Sequence, residues 1–397
     1  MAEVYLVDGA RTAFTSFGGS FAQVNAVDLG AATAVEALRR ANVEANQVDH
    51  VIYGNVIHSH TNASFLSRHI GLKAGIPVEV PAYSVNRLCG SGAQSIVSAA
   101  QLILLNEAQI VLAGGAENMS MAPYANFTSR FGGYKTGALQ FDDMLMCTLT
   151  DEYVGSGMGM TAEKLADQYE ISREEQDDYS LLSQHRAAKA RESGVFAKEI
   201  VTVEVPNRKG TKLISEDEHI KADMTVEKLA SLRPSFKKDG SVTPGNASGI
   251  NDGAASVILA SEKAVRENGL KPLAKIMAWG TAGVDPSIMG IGPVPAIRQA
   301  LERAELRLED MDLIEINEAF ASQYIAVEKE LGLDREKTNV NGGAIALGHP
   351  VGASGTRILL SLAYELQRRE LTYGVASLCI GGGQGIAVII KNVEGGG

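Results

Sequence analysis

Cysteine is scarce in this chain. Cys89, Cys147 and Cys379 are the only three in 397 residues, and no two share a paired spacing. That excludes a disulfide-stapled scaffold and a zinc knuckle, and it fits a reducing compartment. Positive charge is also short, with 36 Lys and Arg against 47 Asp and Glu and a net charge of −11. No basic stripe interleaved with aromatics stands out, so nucleic acid is not an expected partner. No apolar run reaches membrane-spanning length, so no membrane partner is expected. The segment Met1 to Asp8 has no basic n-region and no cleavage site, and it reads as the first strand of a fold. A cytoplasmic protein is the expectation. Four histidines, His50, His58, His60 and His69, crowd one stretch. No Cys or carboxylate pattern accompanies them, so no metal site is expected.

Hydrophobic residues at 45% and charged residues at 21% describe an ordinary globular protein, long enough for two or more units. Glycine is abundant, with 42 residues, and clusters at 114–115, 132–133, 342–343 and 381–383. These pairs read as turns where backbone approaches a ligand. Periodicity predicts strands over 4–7, 48–53 and 109–113, and helices over 28–41, 63–74 and 93–105. The alternation of strands and helices predicts an α/β fold with a mostly parallel sheet covered by helices.

The order then repeats. Setting Asp49 against Asp312 fixes an offset of 263 residues. At that offset Ala37-Leu38 meets Ala300-Leu301, Arg40-Ala41 meets Arg303-Ala304, and Ser91-Gly92 meets Ser354-Gly355. One register carrying the same element order points to a duplication, with a site where the halves meet. Between the halves, Ser120 to Gly249 is richer in charge. Ser172-Arg173-Glu174-Glu175 is a capping box opening a helix that reaches about Glu192. Residues 199–205 read as a strand, and Arg208-Lys209 open a stretch of mixed charge. Lys221, Lys228, Arg233, Lys237 and Lys238 form a loose basic set, either a solvated loop or a contact for phosphates.

Cys89 sits where a predicted strand, 78–85, turns into a helix. Gly90 and Gly92 are expected to let the backbone turn sharply, and free N–H groups at the helix start favour a thiolate. Such placement can lower a Cys pKa from about 8.5 toward neutrality, as a nucleophile needs. A small Cys that only packs is the plain alternative. Three later stretches add chemistry. Asn317-Glu318 abruptly ends an apolar strand, His349 lies in an apolar, Gly-rich loop, and Cys379 stands at a strand end before Gly381-Gly382-Gly383. Together they suggest a thiolate, a base, N–H groups for an oxyanion and a second thiol to move a proton.

The chain resembles the thiolase family over its whole length. The motifs are Asn86-Arg87-Leu88-Cys89-Gly90-Ser91-Gly92, Gly114-Gly115-Ala116-Glu117-Asn118-Met119-Ser120, Gly245-Asn246-Ala247-Ser248-Gly249, Asn317-Glu318-Ala319-Phe320, Gly348-His349-Pro350 and Cys379-Ile380-Gly381-Gly382-Gly383. The resemblance implies a five-layered α/β/α/β/α fold of two duplicated halves. It sets an N-terminal half at 1–119 and 250–271, a loop domain that covers the site and binds CoA at 120–249, and a C-terminal half at 272–397. It implies that Cys89 takes the acyl group, that His349 accepts its proton beside a water positioned by Asn317, and that the N–H groups of Cys89 and Gly381 hold the oxyanion. Cys379 would move the proton at the α-carbon. CoA would touch Ser248 and Lys221, lined by Leu149, Met158, Phe236 and Phe320, with Met289 at the acyl end.

The same resemblance implies CoA and acyl-CoA as substrates, no permanently bound cofactor, no metal, and a homodimer or homotetramer. Gly157 precedes Met158 where thiolases preferring acetoacetyl-CoA commonly carry His, which weakens a dedicated short-chain reading. Lys221 stands where Arg is often found. A ketoacyl-synthase-type condensing enzyme would pair its Cys with two His or with His and Asn, and the second cysteine argues against it. A non-catalytic lipid carrier would have lost Cys89 or His349.

Overall fold

The computed structural model describes residues 3–133, 135–207 and 210–393. Arg208 and Lys209 of the basic region lie outside the described residues. The frame is one hydrogen-bonded sheet built from β1 (Val4–Arg11), β2 (Thr15–Ser16), β3 (His50–Gly54), β4 (Ala82–Val85), β5 (Ile110–Asn118), β6 (Asn251–Ser261), β7 (Ala274–Gly283), β8 (Leu313–Ile316), β9 (Tyr373–Ile380) and β10 (Gln384–Asn392). The spatial order is β8-β9-β10-β7-β1-β6-β5-β3-β4, with β2 beside β6.

That order is a palindrome about the β7–β1 junction. Reading outward gives β7, β10, β9, β8 on one side and β1, β6, β5, β3 on the other, with matching orientations pair by pair. Both halves skip one residue of register at the same place, between Leu6 and Asp8 and between Ile276 and Ala278. Asp49 Oδ2 accepts from the N–H groups of Gln109 and Ile110, and Asp312 Oδ2 accepts from those of Thr372 and Tyr373. The duplication legible at the 263-residue offset therefore extends to individual hydrogen bonds.

The sheet is mixed, not mostly parallel. Only β3–β4, β3–β5 and β8–β9 run parallel, because β6 returns after the loop domain to slot antiparallel between β1 and β5, and β10 does the same beside β9. Nor do Gly114 and Gly115 form a turn. They lie inside β5, where a Cβ on Gly115 would stand 2.0 Å from the Gly352 carbonyl oxygen. Absence of a side chain, not a bend, is what that position requires. Gly382 and Gly383, at φ of 77° and 78°, do turn.

Helices α1 (Ala26–Ala41), α2 (Leu66–Lys73), α3 (Ser91–Leu104), α4 (Met158–Gln168), α5 (Arg173–Glu192), α6 (Pro293–Ala304), α7 (Ala321–Leu331) and α8 (Val351–Arg368) complete the layers. α1 and α2 cover the outer face of the first half, and α6 and α7 that of the second. α3 and α8 lie between the halves, buried together against strands of both. Alternation along each strand explains why. Val257 and Leu259 of β6 serve the middle layer while Ile258 and Ala260 serve the outer one, and Val388 and Ile389 of β10 divide likewise. Strands buried on both faces are predominantly apolar along their middles, which is why they read there as continuous runs. The result is the five-layered α/β/α/β/α arrangement.

α5 begins at the expected capping box, with Ser172 Oγ accepting from Glu175 N and Glu175 returning to Ser172 N. The loop region is clamped to the frame by Arg11 of β1. Its fully buried guanidinium donates to both oxygens of Asp217, at 2.7 and 2.9 Å, and to Glu199 at 2.8 Å, between the rings of Phe14 and Phe196. The strand near 199–205 runs from Val203 to Asn207. β4 is a half-exposed edge of four residues, not the core strand expected over 78–85.

Candidate active site

The backbone between β4 and α3 is tightly wound. Asn86 Oδ1 accepts from Leu88 N at 3.0 Å, and Ser91 Oγ accepts from Arg87 N at 2.8 Å and donates to Leu88 O at 2.7 Å. Leu88, the residue before the cysteine, carries a φ of 46°. A bulky residue in this left-handed region is a genuine outlier, and such outliers collect at functional sites. Gly90 has ordinary helical angles, contrary to the expected sharp turn. Its role is room, because a Cβ there would meet Ile380 at 2.5 Å. The elbow bearing Cys89 is thus seated on the strand that bears Cys379.

Burial pushes the Cys89 thiol up, while the N–H groups of Gly381 and of Cys89 itself pull it down. Burial prevails, so the helix start does not deliver the lowered resting pKa expected from the sequence. Cys379 is fully buried, and its thiol is pushed well above the ordinary range by burial and then by the nearby Cys89. The two cysteines are thus neighbours, with the backbone N–H groups of Gly381 and of Cys89 itself directed at the Cys89 thiol.

His349 is buried, and its N–H donates to Asn251 Oδ1 at 2.9 Å. Its Nδ1 lies 2.6 Å from Ser354 Oγ, whose own hydrogen goes to Pro350 O at 2.9 Å. This pattern assigns the ring tautomer: Nδ1–H donates to Ser354, leaving the Nε2 lone pair free. Asn317 Nδ2 reaches Nε2 only at 3.4 Å, and Asn317 Oδ1 is buried with no partner among the described residues. Burial first, and the Arg357 cation second, hold the imidazole down to about 3. A neutral ring is an acceptor ready for a proton.

Glu318, next to Asn317, fixes this loop. It accepts from Tyr179 and Ser183 of α5, from Asn339 Nδ2 and from Ile345 N. Sequence reasoning quoted Glu318 within a motif without giving it work, and it missed Ser354 and Asn251. Ser354 was detectable, since it is the counterpart of Ser91 in the repeat; Asn251 carried no signal.

The expected lining residues fall into two groups. Met158, Met289, Phe320 and Cys379 share one apolar cluster, and Leu149 packs with Cys89 against Ile57, Leu145 and Val351. Met158 N donates to Leu149 O, joining the two. Phe236 stands half exposed, edge-on to Phe320 with centroids 6.2 Å apart. Ser248 N donates to Ala319 O, which laces its loop to the Asn317 segment. Lys221 is exposed and lies outside both clusters, its N–H held by Gln184. Of the other basic residues, Lys228 pairs with Asp223 and Lys237 with Asp167. Among the described residues no group of three metal-ligating side chains converges, and no helix is long and apolar enough to cross a membrane.

Residues 4–263 match the family model of the thiolase N-terminal domain, and residues 270–392 that of the thiolase C-terminal domain. The chain belongs to the thiolase family. It is an acyltransferase, as thiolases are. It is 52% identical to the human mitochondrial 3-ketoacyl-CoA thiolase over 98% of both chains. It is 50% identical to the acetyl-CoA acetyltransferase of Escherichia coli K12, over 99% of this chain and all of the relative. The solved structure of the human mitochondrial 3-ketoacyl-CoA thiolase in complex with CoA superposes with a TM-score of 0.96 at 52% identity, covering 99% of each chain.

Proposed function

We propose that this thiolase cleaves 3-ketoacyl-CoA with CoA to give acetyl-CoA and a shortened acyl-CoA, and runs the reverse condensation. The observation that carries the reading is Cys89 next to Cys379 and to the Gly381 N–H, together with a neutral His349 whose Nδ1 is held by Ser354. Cys89 Sγ attacks the 3-keto carbon as its proton passes to His349 Nε2. The oxyanion forms against the N–H groups of Cys89 and Gly381, where charge develops. The bond between the α- and β-carbons then breaks, and the departing acetyl-CoA enolate takes the Cys379 proton. In the second half, the CoA thiol gives its proton to the Cys379 thiolate and attacks the acyl-Cys89 thioester, and the departing Cys89 sulfur takes back the proton held on His349 Nε2.

CoA and acyl-CoA are the substrates in this reading, with Ser248, Leu149, Met158, Phe236, Phe320 and Lys221 along the CoA path and Met289 at the acyl end. Gly157 leaves space beside Met158, in favour of chains longer than acetoacetyl. Thiolysis rates across a series of 3-ketoacyl-CoA lengths test this, and activity confined to acetoacetyl-CoA would reject it. Iodoacetamide labelling tests the nucleophile. Cys89 is expected to react first and to be protected by acyl-CoA; label at Cys147 with Cys89 untouched would reject it.

Pairing of subunits through the N-terminal half follows from the half-exposed edge β4 and the exposed Val78 and Tyr83. A dimer or dimer of dimers is the expected sedimentation mass, and a monomer at micromolar concentration would contradict it. Three free cysteines, two of them at the site, suit a reducing compartment such as the cytoplasm.

A further inference from the structure

Glu117, one residue before the end of β5, is a fully buried carboxylate whose oxygens take four N–H donors from both halves of the molecule. Oε1 accepts from Asn55 Nδ2 at 3.0 Å and Ile57 N at 3.1 Å. Oε2 accepts from Val56 N and from Gly352 N, both at 3.0 Å. The first three belong to the segment that follows β3; the fourth opens α8. Gly352 is glycine for this contact, since a Cβ there would stand 2.6 Å from Glu117 Oε2. Burial pushes the carboxyl up to about 8, against the pull of the Ile57, Val56 and Gly352 N–H groups. Four donors occupy the acceptor directions of the group, a set that a carboxylate satisfies and an amide does not.

Both straps lead to reacting groups. Ile57 and Val351, each fixed by a residue bonded to Glu117 or bonded to it directly, belong to the apolar wall on which Cys89 packs. Two residues beyond Gly352, Ser354 holds His349 Nδ1. We propose that Glu117 is a positioning residue of the thiolase reaction: its carboxylate pins the start of the helix that carries Ser354 to the wall that carries Cys89. Among the described residues the carboxylate makes no hydrogen bond to Ser248, Met158, Phe236, Phe320 or Lys221, so its effect belongs chiefly in kcat. The proposal rests on the reading of Cys89 as nucleophile.

The test compares full-length Glu117→Gln, Glu117→Asp and Gly352→Ala with the parent enzyme. The readouts are kcat and KM in thiolysis and the pH profile of Cys89 alkylation by iodoacetamide. In Glu117→Gln an amide –NH2 faces N–H donors, so the straps part; kcat is expected to fall ~100-fold, the scale of an ångström-sized misplacement. KM for CoA is expected to stay within about twofold, the mark of a transition-state effect. Its Cys89 is expected to alkylate at lower pH than in the parent, because a Cys89 displaced from its apolar wall loses the burial that raises its thiol. Glu117→Asp keeps the acceptor oxygens on a shorter stem, so kcat is expected to fall only partway and the alkylation profile to shift less. Gly352→Ala displaces the carboxylate from the other side and is expected to lower kcat in a folded protein even if Glu117→Gln fails to fold. Unchanged kcat in Gly352→Ala and Glu117→Asp, or an unmoved alkylation profile in a folded Glu117→Gln enzyme, overturns the proposal. Cys89→Ala run alongside separates the two readings. Turnover surviving that change removes the nucleophile assignment and this proposal with it, whereas a dead Cys89→Ala beside an unimpaired Glu117→Gln removes this proposal alone.

Discussion

Gly92 and Gly355 meet across the crossing of α3 and α8, each where the other helix leaves no room for a side chain. A Cβ on Gly92 would stand 2.6 Å from Thr356 N, and one on Gly355 would stand 2.3 Å from Ala93 N. Shifted by the repeat offset, each contact is the image of the other, so the internal two-fold passes through this crossing. Cys89 precedes one helix by two residues and Ser354 lies in the first turn of the other. The crossing therefore sets how closely nucleophile and base approach.

Replacing either glycine with alanine is expected to cost ~1–3 kcal/mol by overpacking. Urea unfolding midpoints measure the loss. Activity is expected to fall in both variants alike, because either methyl group spreads the same helix pair. A change in one variant only would show that the crossing does not act as a unit.

Ser354→Ala removes the acceptor that fixes the His349 tautomer. The Nε2 lone pair is then no longer guaranteed, and kcat is expected to drop by up to ~100-fold, the lower reach of a general base effect. Thermal stability should change little by comparison. Stopped-flow acylation with acetyl-CoA locates the loss in the first half-reaction.

Cys379→Ser separates the two thiols. Acetyl-CoA is expected still to acetylate Cys89, seen as a mass gain of the intact protein, while thiolysis and condensation fall steeply. A serine hydroxyl is a far weaker acid and base than a thiol near neutral pH. A folded variant that gains no acetyl group would contradict this division of labour.

Two buried histidines should weaken the fold in mild acid. His349 is held down to about 3 and His219 to about 4, in both cases by burial first. Between an unfolded value near 6.5 and these folded values the unfolded chain binds more protons, so stability falls as pH drops through that window and is unaffected above it. From pH 7 to pH 5, His349 alone contributes a loss of about 2 kcal/mol. Denaturation curves of the parent and of His349→Asn measure it; the variant should show the shallower slope.

Arg11→Met leaves Asp217 and Glu199 buried without their cation, which is expected to cost ~3–5 kcal/mol. The loop region should loosen first, because both carboxylates lie on it. Limited proteolysis near residues 199–217, compared between variant and parent, reports that order.

Much of this was legible in the chain. The 263-residue offset placed β3 on β8 and Ser91 on Ser354, because a duplicated core repeats its apolar pattern and its caps. The motifs placed Cys89, Asn317, His349 and Cys379 at element ends. What escaped was set by partners distant in sequence. The Gly114-Gly115 pair carries the composition of a turn, and only the approach of Gly352 reveals a strand. Burial of Cys89 against Ile57 and Val351 overrides the helix start, and no local pattern announces that wall. Strand direction was misread because β6 and β10 each follow a helix or a turn but insert beside an earlier strand.

The place of β6 bears on how the chain is made. β5 ends at Asn118 and pairs with β3 on one edge, yet the neighbour on its other edge begins at Asn251, with the whole loop region between. β1 has the same neighbour on one edge and β7 on the other. During synthesis the N-terminal strands must therefore wait, edges open, until about residue 260 has left the ribosome. At ~5–20 residues per second the interval from β5 to β6 is several seconds to half a minute, long beside hairpin formation or collapse. A nascent chain halted before β6 would present the unpaired edges of β1 and of one side of β5, and it is at this stage that the protein most needs shelter from its own copies.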